Sequence, residues 1–266
     1  MTDVLAYHQQ GHVAILTITR PEMRNALGEP GDGDSFVQLT QKINADRSIR
    51  CVILTGEGVA FSAGGNVKAM RDGQPPFDGA GVHIADGYRN GIHQIVKSLW
   101  GLQVPVIAAV NGPAIGLGND VACLCDMRIA SQKAVFGSTF LKIGLIPGDG
   151  GAWLLPRIIG GARASELLFT GRTLDADTAL SWGLVSQVVE PEALLPTALD
   201  LAAEICAQPP EALRAAKRLL RHGDQASFET IMEMSAATQA LMHETQDHSE
   251  AVRAMLDKTT PDYNDS

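Results

Sequence analysis

The chain has 266 residues, 45% of them hydrophobic and 19% charged, with a formal net charge of −9. It is longer than one ordinary domain and shorter than two, and its apolar share suffices for a sizeable core. No apolar run reaches membrane-spanning length and residues 1–10 carry no secretory leader pattern, so neither membrane insertion nor export is expected. The acidic balance argues against wrapping a nucleic-acid backbone, which needs clustered Lys and Arg.

In chain order, His12–Thr19 (HVAILTIT) alternates and is rich in β-branched residues, which predicts a strand that Arg20-Pro21 ends. Gly28–Ser35 (GEPGDGDS) reads as a turn cluster, and Phe36–Asp46 as a weak helix. Cys51–Thr55 (CVILT) and Val104–Val110 (VPVIAAV) are continuous apolar runs, as buried parallel strands are. A glycine-rich loop follows each, Gly56–Asn66 and Asn111–Asn119, the second leading into a short helix that ends near Asp126. Residues 71–82 read as a mobile segment, Tyr88–Trp100 as a helix and Met127–Ala130 as a strand.

From Pro191 onward the pattern turns helical: Glu192–Cys206, Glu211–Arg221, Phe228–Thr245 and Ser249–Leu256 all carry apolar stripes. Pro196 places the start of the first of these near itself, where a proline is tolerated. Residues 1–195 are therefore expected to form an α/β core and 196–266 a helical region.

The 27 glycines concentrate attention on the two loops. Each joins a buried strand to a helix through small residues, and a helix start carries unpaired N–H groups at the positive end of its dipole. Two such starts meeting in space can hold one oxygen between two N–H donors. The candidate donors are Gly65, in Phe61–Asn66 (FSAGGN), and Leu117, in Gly112–Gly118 (GPAIGLG). Two ordinary strand-to-helix turns would look the same in composition.

These loops, with Arg20-Pro21, Asn25-Ala26-Leu27, Cys125–Arg128, Phe136-Gly137, Gly144–Pro147, Gly150-Gly151, Thr170-Gly171 and Gly183–Val185, resemble the crotonase superfamily, the enoyl-CoA hydratase/isomerase family. Their order and spacing are specific and run nearly the whole chain. The resemblance implies a β-β-α spiral core with a C-terminal helical region, assembled as a homotrimer or homohexamer in the cytoplasm. It implies an acyl-CoA thioester as substrate, no further cofactor and no metal. The thioester oxygen would lie between the N–H groups of Gly65 and Leu117. Carried over by position, Arg24, Ala26, Ala63, Gly64, Lys68, Lys258 and Tyr263 would line the coenzyme A. Lys68 and Lys258 read equally well as solvated surface lysines.

The resemblance also implies acid–base groups. Hydratases of this family commonly use two glutamates. The first position falls on Asp120, one methylene shorter, which would also suit a helix first turn. The second falls on Phe140, a substrate-lining residue that cannot accept a proton. Asp149 is the candidate replacement, although relatives that move protons between carbons carry their aspartate one residue earlier, at the place of Gly148. Asp149 also fits a cap for a helix starting near Gly150. The implied activity is hydration of a 2-enoyl-CoA. The alternatives are double-bond isomerisation with Asp120 or Asp149 as proton carrier, and a non-catalytic CoA- or RNA-binding relative. Cys123 and Cys125 lack the second pair or nearby His that zinc needs, and four cysteines suit a reducing compartment. His83 is a weaker candidate beside the expected acyl pocket.

Overall fold

Apolar residues on both faces of consecutive strands form the centre of the fold in this computed structural model, which describes residues 4–263. The strands are β1 (Leu5–Gln10), β2 (Val13–Ile18), β3 (Cys51–Gly56), β4 (Val106–Val110), β5 (Ala114–Ile115), β6 (Met127–Ser131), β7 (Val135–Gly137), β8 (Thr173–Asp175) and β9 (Gln187–Val189). A six-stranded sheet runs in the order β1-β2-β3-β4-β6-β9, antiparallel only between β1 and β2, and β5-β7-β8 form a second, three-stranded sheet.

Side chains alternate across the large sheet. Ala14, Leu16, Ile18, Val52 and Leu54 join the larger core cluster, whereas Val13, Ile15, Cys51 and Ile53 point to the opposite face. The first face is covered by α1 (Asp32–Ala45), α4 (His93–Trp100), α5 (Leu117–Leu124), α6 (Gly151–Ile159) and α7 (Gly161–Thr170). Shorter helices are α2 (Val67–Arg71), α3 (Gly81–Gly87) and α8 (Ala176–Trp182), and a π-helical turn, Tyr88–Ile92, joins α3 to α4. The opposite face is closed by α9 (Leu194–Cys206), whose Leu194, Ala198 and Ala202 pack on Ile53, Ile107 and Ile129. A boundary at residue 195 thus falls inside a helix that covers the sheet. Next, α10 (Pro210–Gly223) sends buried Lys217 to Asp126 (2.7 Å) and to the Val104 carbonyl (2.7 Å). The chain closes with α11 (Phe228–His243), which buries no residue, and α12 (Gln246–Asp257).

Two expectations change. Helix α1 begins at Asp32, inside the stretch read as a turn. The reason is long-range: the buried Asp32 carboxylate pairs with Arg20 (2.8 and 2.6 Å) and accepts from the Gly28 and Glu29 N–H groups, so its charge is satisfied at the helix start. Residues 71–82, read as mobile, include the end of α2 and the start of α3, and the segment between is anchored, with the Phe77 ring packed edge-on against Tyr88 at 6.2 Å.

Candidate active site

The two glycine-rich loops leave the carboxyl ends of neighbouring parallel strands, where open α/β sheets place their ligands. They interlock through the backbone. Ser62 N–H donates to the Pro113 carbonyl (3.0 Å), and Ile115 N–H donates to the Ser62 carbonyl (2.9 Å). The Arg20–Leu27 segment joins them: Leu27 N–H donates to the Gly64 carbonyl and Ala63 N–H to the Arg24 carbonyl, both at 2.9 Å. Asn25 fixes this third strand of chain. Its buried amide donates to the carbonyls of Glu57 (2.9 Å) and Ala60 (2.7 Å) and accepts from Arg20 N–H (2.9 Å).

Glycine is required where the loops touch. Gly64 has φ +83°, and a Cβ there would collide with the Ile115 carbonyl oxygen and stand 3.2 Å from the Leu117 nitrogen. A Cβ on Gly118 would collide with the Ser62 carbonyl oxygen. These contacts bring residues 63–65 against 115–117. Gly65 lies one residue before Asn66, the N-cap of α2, and Leu117 is the first residue of α5. Among the described residues, neither the Gly65 nor the Leu117 N–H has an acceptor within the chain. Both candidate donors are therefore open, beside each other, at helix starts.

Arg24, Ala26, Ala63, Gly64 and Lys68 gather at this junction, with Arg24 and Lys68 exposed. Tyr263 is elsewhere. Its carbonyl accepts from Arg50, which precedes β3, at the end of the sheet opposite the loops. The strand between them is about 20 Å long at about 3.3 Å per residue, so Tyr263 is not among the residues that gather at the loop junction. Lys258 ends α12 with left-handed backbone and an exposed side chain.

The carboxylates do come together. Asp120, three residues into α5, is fully buried and accepts from Gly151 N–H (3.0 Å) and from the Asn119 amide (3.3 Å). Burial pushes its pKa up to about 7, the Asp149 charge adds to this, and the two donors oppose it. Asp149, 4% exposed, is pushed up to about 6 by burial. It does not cap α6. The cap residue is Gly150, with no side-chain bond, and the carboxylate that receives the first N–H of that helix is Asp120. Asp149 Oδ1 is buried and accepts no hydrogen bond within the chain, and the same holds for Asn119 Oδ1, next to Asp120 in sequence, and for Ser138 Oγ, two residues before Phe140. Buried polar atoms without partners are rare in folded proteins, and two of these belong to the carboxylate pair or its immediate neighbour.

Phe140 stands where a second glutamate is expected, its ring 3.7 Å from the place a Cβ on Gly116 would occupy. An apolar cavity of about 390 Å³ is lined by Val67, Met70, Phe77, Ile84, Tyr88 and Leu145 among others, and by none of the candidate residues themselves. Met70 reaches Gly65, whose added Cβ would be 3.0 Å from the Met70 methyl, and Tyr88 lies near enough to Asp149 for its ionisation to be disfavoured by that charge as well as by burial. A larger concavity of about 750 Å³ between β1 and α1 contains none of the candidate residues. His83 is exposed on α3. Tyr88 and His93, which nothing in the sequence singles out, stand beside the Asp149 loop, His93 Nε2 lying 3.0 Å from the Gly148 carbonyl. Among the described residues no three His, Cys, Asp or Glu side chains gather as a metal site. Cys123 and Cys125 are buried thiols pushed up to about 12 by burial.

Residues 8–266 match the family model for enoyl-CoA hydratase/isomerase. The chain belongs to that family. It is 34% identical to a short-chain-enoyl-CoA hydratase of Clostridium acetobutylicum, over 94% of this chain and 93% of that one. It is also 34% identical to a 1,2-epoxyphenylacetyl-CoA isomerase of Escherichia coli, over 99% of each. Among solved structures, an enoyl-CoA hydratase from Bacillus anthracis superposes with a TM-score of 0.92 at 32% identity, covering 99% of this chain and all of that one. The crotonase-like core with its C-terminal helices is thus the observed fold.

Proposed function

We propose that this protein hydrates a 2-enoyl-CoA, with Asp120 and Asp149 as the acid–base pair. The thioester oxygen accepts from the Gly65 and Leu117 N–H groups, which stabilises the enolate formed when water adds at C3. One carboxylate takes a proton from that water as its oxygen bonds to C3, and the protonated partner delivers a proton to C2. Two carboxyls in one apolar surround divide such roles naturally, because the charge of one keeps the proton on the other. The observation that carries the reading is this pair: both buried, both raised toward neutrality, and one with an oxygen left over for a reacting group.

Phe140 favours a second reading, isomerisation of a 3-enoyl-CoA, in which one carboxylate shuttles a proton along a dry apolar wall. Turnover of crotonyl-CoA beside a 3-enoyl-CoA decides between them. Hydration that is abolished by Asp120→Asn supports the first, and double-bond migration without water uptake supports the second. Neither reaction in folded protein would leave a binding relative. No cofactor beyond the substrate's own coenzyme A enters either reaction. The exposed apolar residues Phe228, Met232, Leu241 and Met255 of the last helices support assembly as a homotrimer or homohexamer. In it, Lys258 and Tyr263 would serve the coenzyme A of a neighbouring copy. The four cysteines, all free thiols, support a reducing, cytoplasmic setting.

A further inference from the structure

The loop that carries Asp149 has few ties to its surroundings. Leu145 N–H returns to the Phe140 carbonyl and Gly148 N–H to the Ile146 carbonyl, both within the loop's own span. Gly144, Ile146 and Gly148 are exposed. The bond that reaches out of the loop beside Asp149 comes from α4, where His93 Nε2 lies 3.0 Å from the Gly148 carbonyl and can donate to it.

The π-helical turn makes this contact possible. Residues five apart on an α-helix point about 140° away from each other. The wider turn at Tyr88–Ile92 instead packs the Tyr88 and His93 rings edge to face, with centroids 5.8 Å apart at 61°. Phe77 supports Tyr88 from the other side at 6.2 Å. The turn is held from below as well: a Cβ on Gly33 of α1 would stand 2.7 Å from the Gly91 carbonyl oxygen, so α1 lies directly against it. A chain of packed groups thus runs from α1 through the turn to His93 and on to the backbone next to Asp149.

We infer that His93 is a positioning residue, which holds the Asp149 carboxylate against Asp120 through the Gly148 carbonyl. This rests on the reading of Asp149 as half of the acid–base pair. Among the described residues, the titratable groups around Asp149 are Asp120 from α5, Tyr88 from the π-helical turn and His93 from α4. A shift in where Asp149 sits changes its distance from Asp120, and with it the proton affinity of the pair.

The test uses His93→Phe, His93→Gln, Asp149→Asn and the double variant His93→Phe/Asp149→Asn in the full chain. His93→Phe keeps the ring packing and loses the donor. It is expected to lower kcat about tenfold, since misplacing a reacting group by a fraction of an ångström is felt steeply. It should displace the pH–kcat profile and leave KM for the acyl-CoA within about twofold. His93→Gln, which restores an N–H, is expected to recover most of kcat and the original profile. In the double variant the His93 effect should vanish, because it acts through Asp149. A folded His93→Phe with unchanged kcat and profile, beside an impaired Asp149→Asn, overturns the positioning role alone. An additive double variant overturns it also. Should Asp149→Asn turn over at the parent rate, the acid–base reading falls first and this inference falls with it.

Discussion

The two glycine-rich loops and the carboxylate pair are fixed in opposite ways. The loops are locked by backbone: three segments exchange N–H and carbonyl groups, and Gly64 and Gly118 permit an approach that no side chain would allow. The pair is placed by side chains on two elements, α5 and the loop before α6, with one carboxylate bonded on both oxygens and the other left with an unpartnered one. A stabilising site for developing charge gains from rigidity, since its dipoles need no reorganisation. A group that must gain and lose a proton gains instead from an environment in which both forms are within reach.

The largest effect is expected from breaking the carboxylate half. Asp120→Asn should lower turnover about 10²–10⁴-fold while the Gly151 N–H keeps an acceptor. The folded pKa of Asp120 is raised, so its contribution to stability is full below about pH 4 and is lost as the pH rises through about 7. Asp120→Asn removes that loss. Its melting temperature, measured against the parent, should therefore improve as the pH rises from about 4 and level off above about pH 7. A variant that loses activity and gains nothing at high pH would show that Asp120 is not held in the raised state.

Breaking the backbone half comes next. Gly65→Pro deletes one N–H and should cost about 10²–10³ in kcat if the chain folds, as read by circular dichroism beside the assay. Gly65→Ala is the sharpening control. It keeps the N–H, has no positive φ to strain, and meets only the flexible Met70 methyl, so it should stay within about tenfold. Equal damage from both would mean that bulk, not the donor, matters at 65. The smallest effect is expected outside both halves. Lys68→Ala removes an exposed charge at the junction and should raise KM a fewfold with kcat unchanged, measured at low and high salt, because exposed charges contribute under about 1 kcal/mol and are screened.

The same contrast governs what could be read from sequence. Strands β2, β3, β4 and β6 announce themselves as apolar runs, and the loops after β3 and β4 by glycine. The strand-to-helix loops that hold Gly65 and Leu117 were therefore legible as loops. The start of α1 was not, because Asp32 depends on Arg20, twelve residues away. Strands β7, β8 and β9 have three residues each, too few for periodicity to speak. The side-chain half was legible only in part. Asp120 and Asp149 stood out as acids, yet the capping role attributed to Asp149 belongs to Asp120, and nothing in the spacing of Tyr88 and His93 foretells a π-helical turn.

The space between α5 and α6 also bears on how such a site can change over time. A Cβ on Gly151 would stand 2.5 Å from Asp120 Oδ1, so the carboxylate already fills the gap that the glycine leaves. One more methylene at 120 would drive the acid into the α6 backbone unless that helix retreats. Exchange of this aspartate for the family's usual glutamate is thus not a single step in sequence. It must travel with a shift of α6, and a glutamate at 140 would remove the phenyl ring that stands beside Gly116. The aspartate at 120 and the glycine at 151 are thus one linked choice, and neither can grow alone without moving α6.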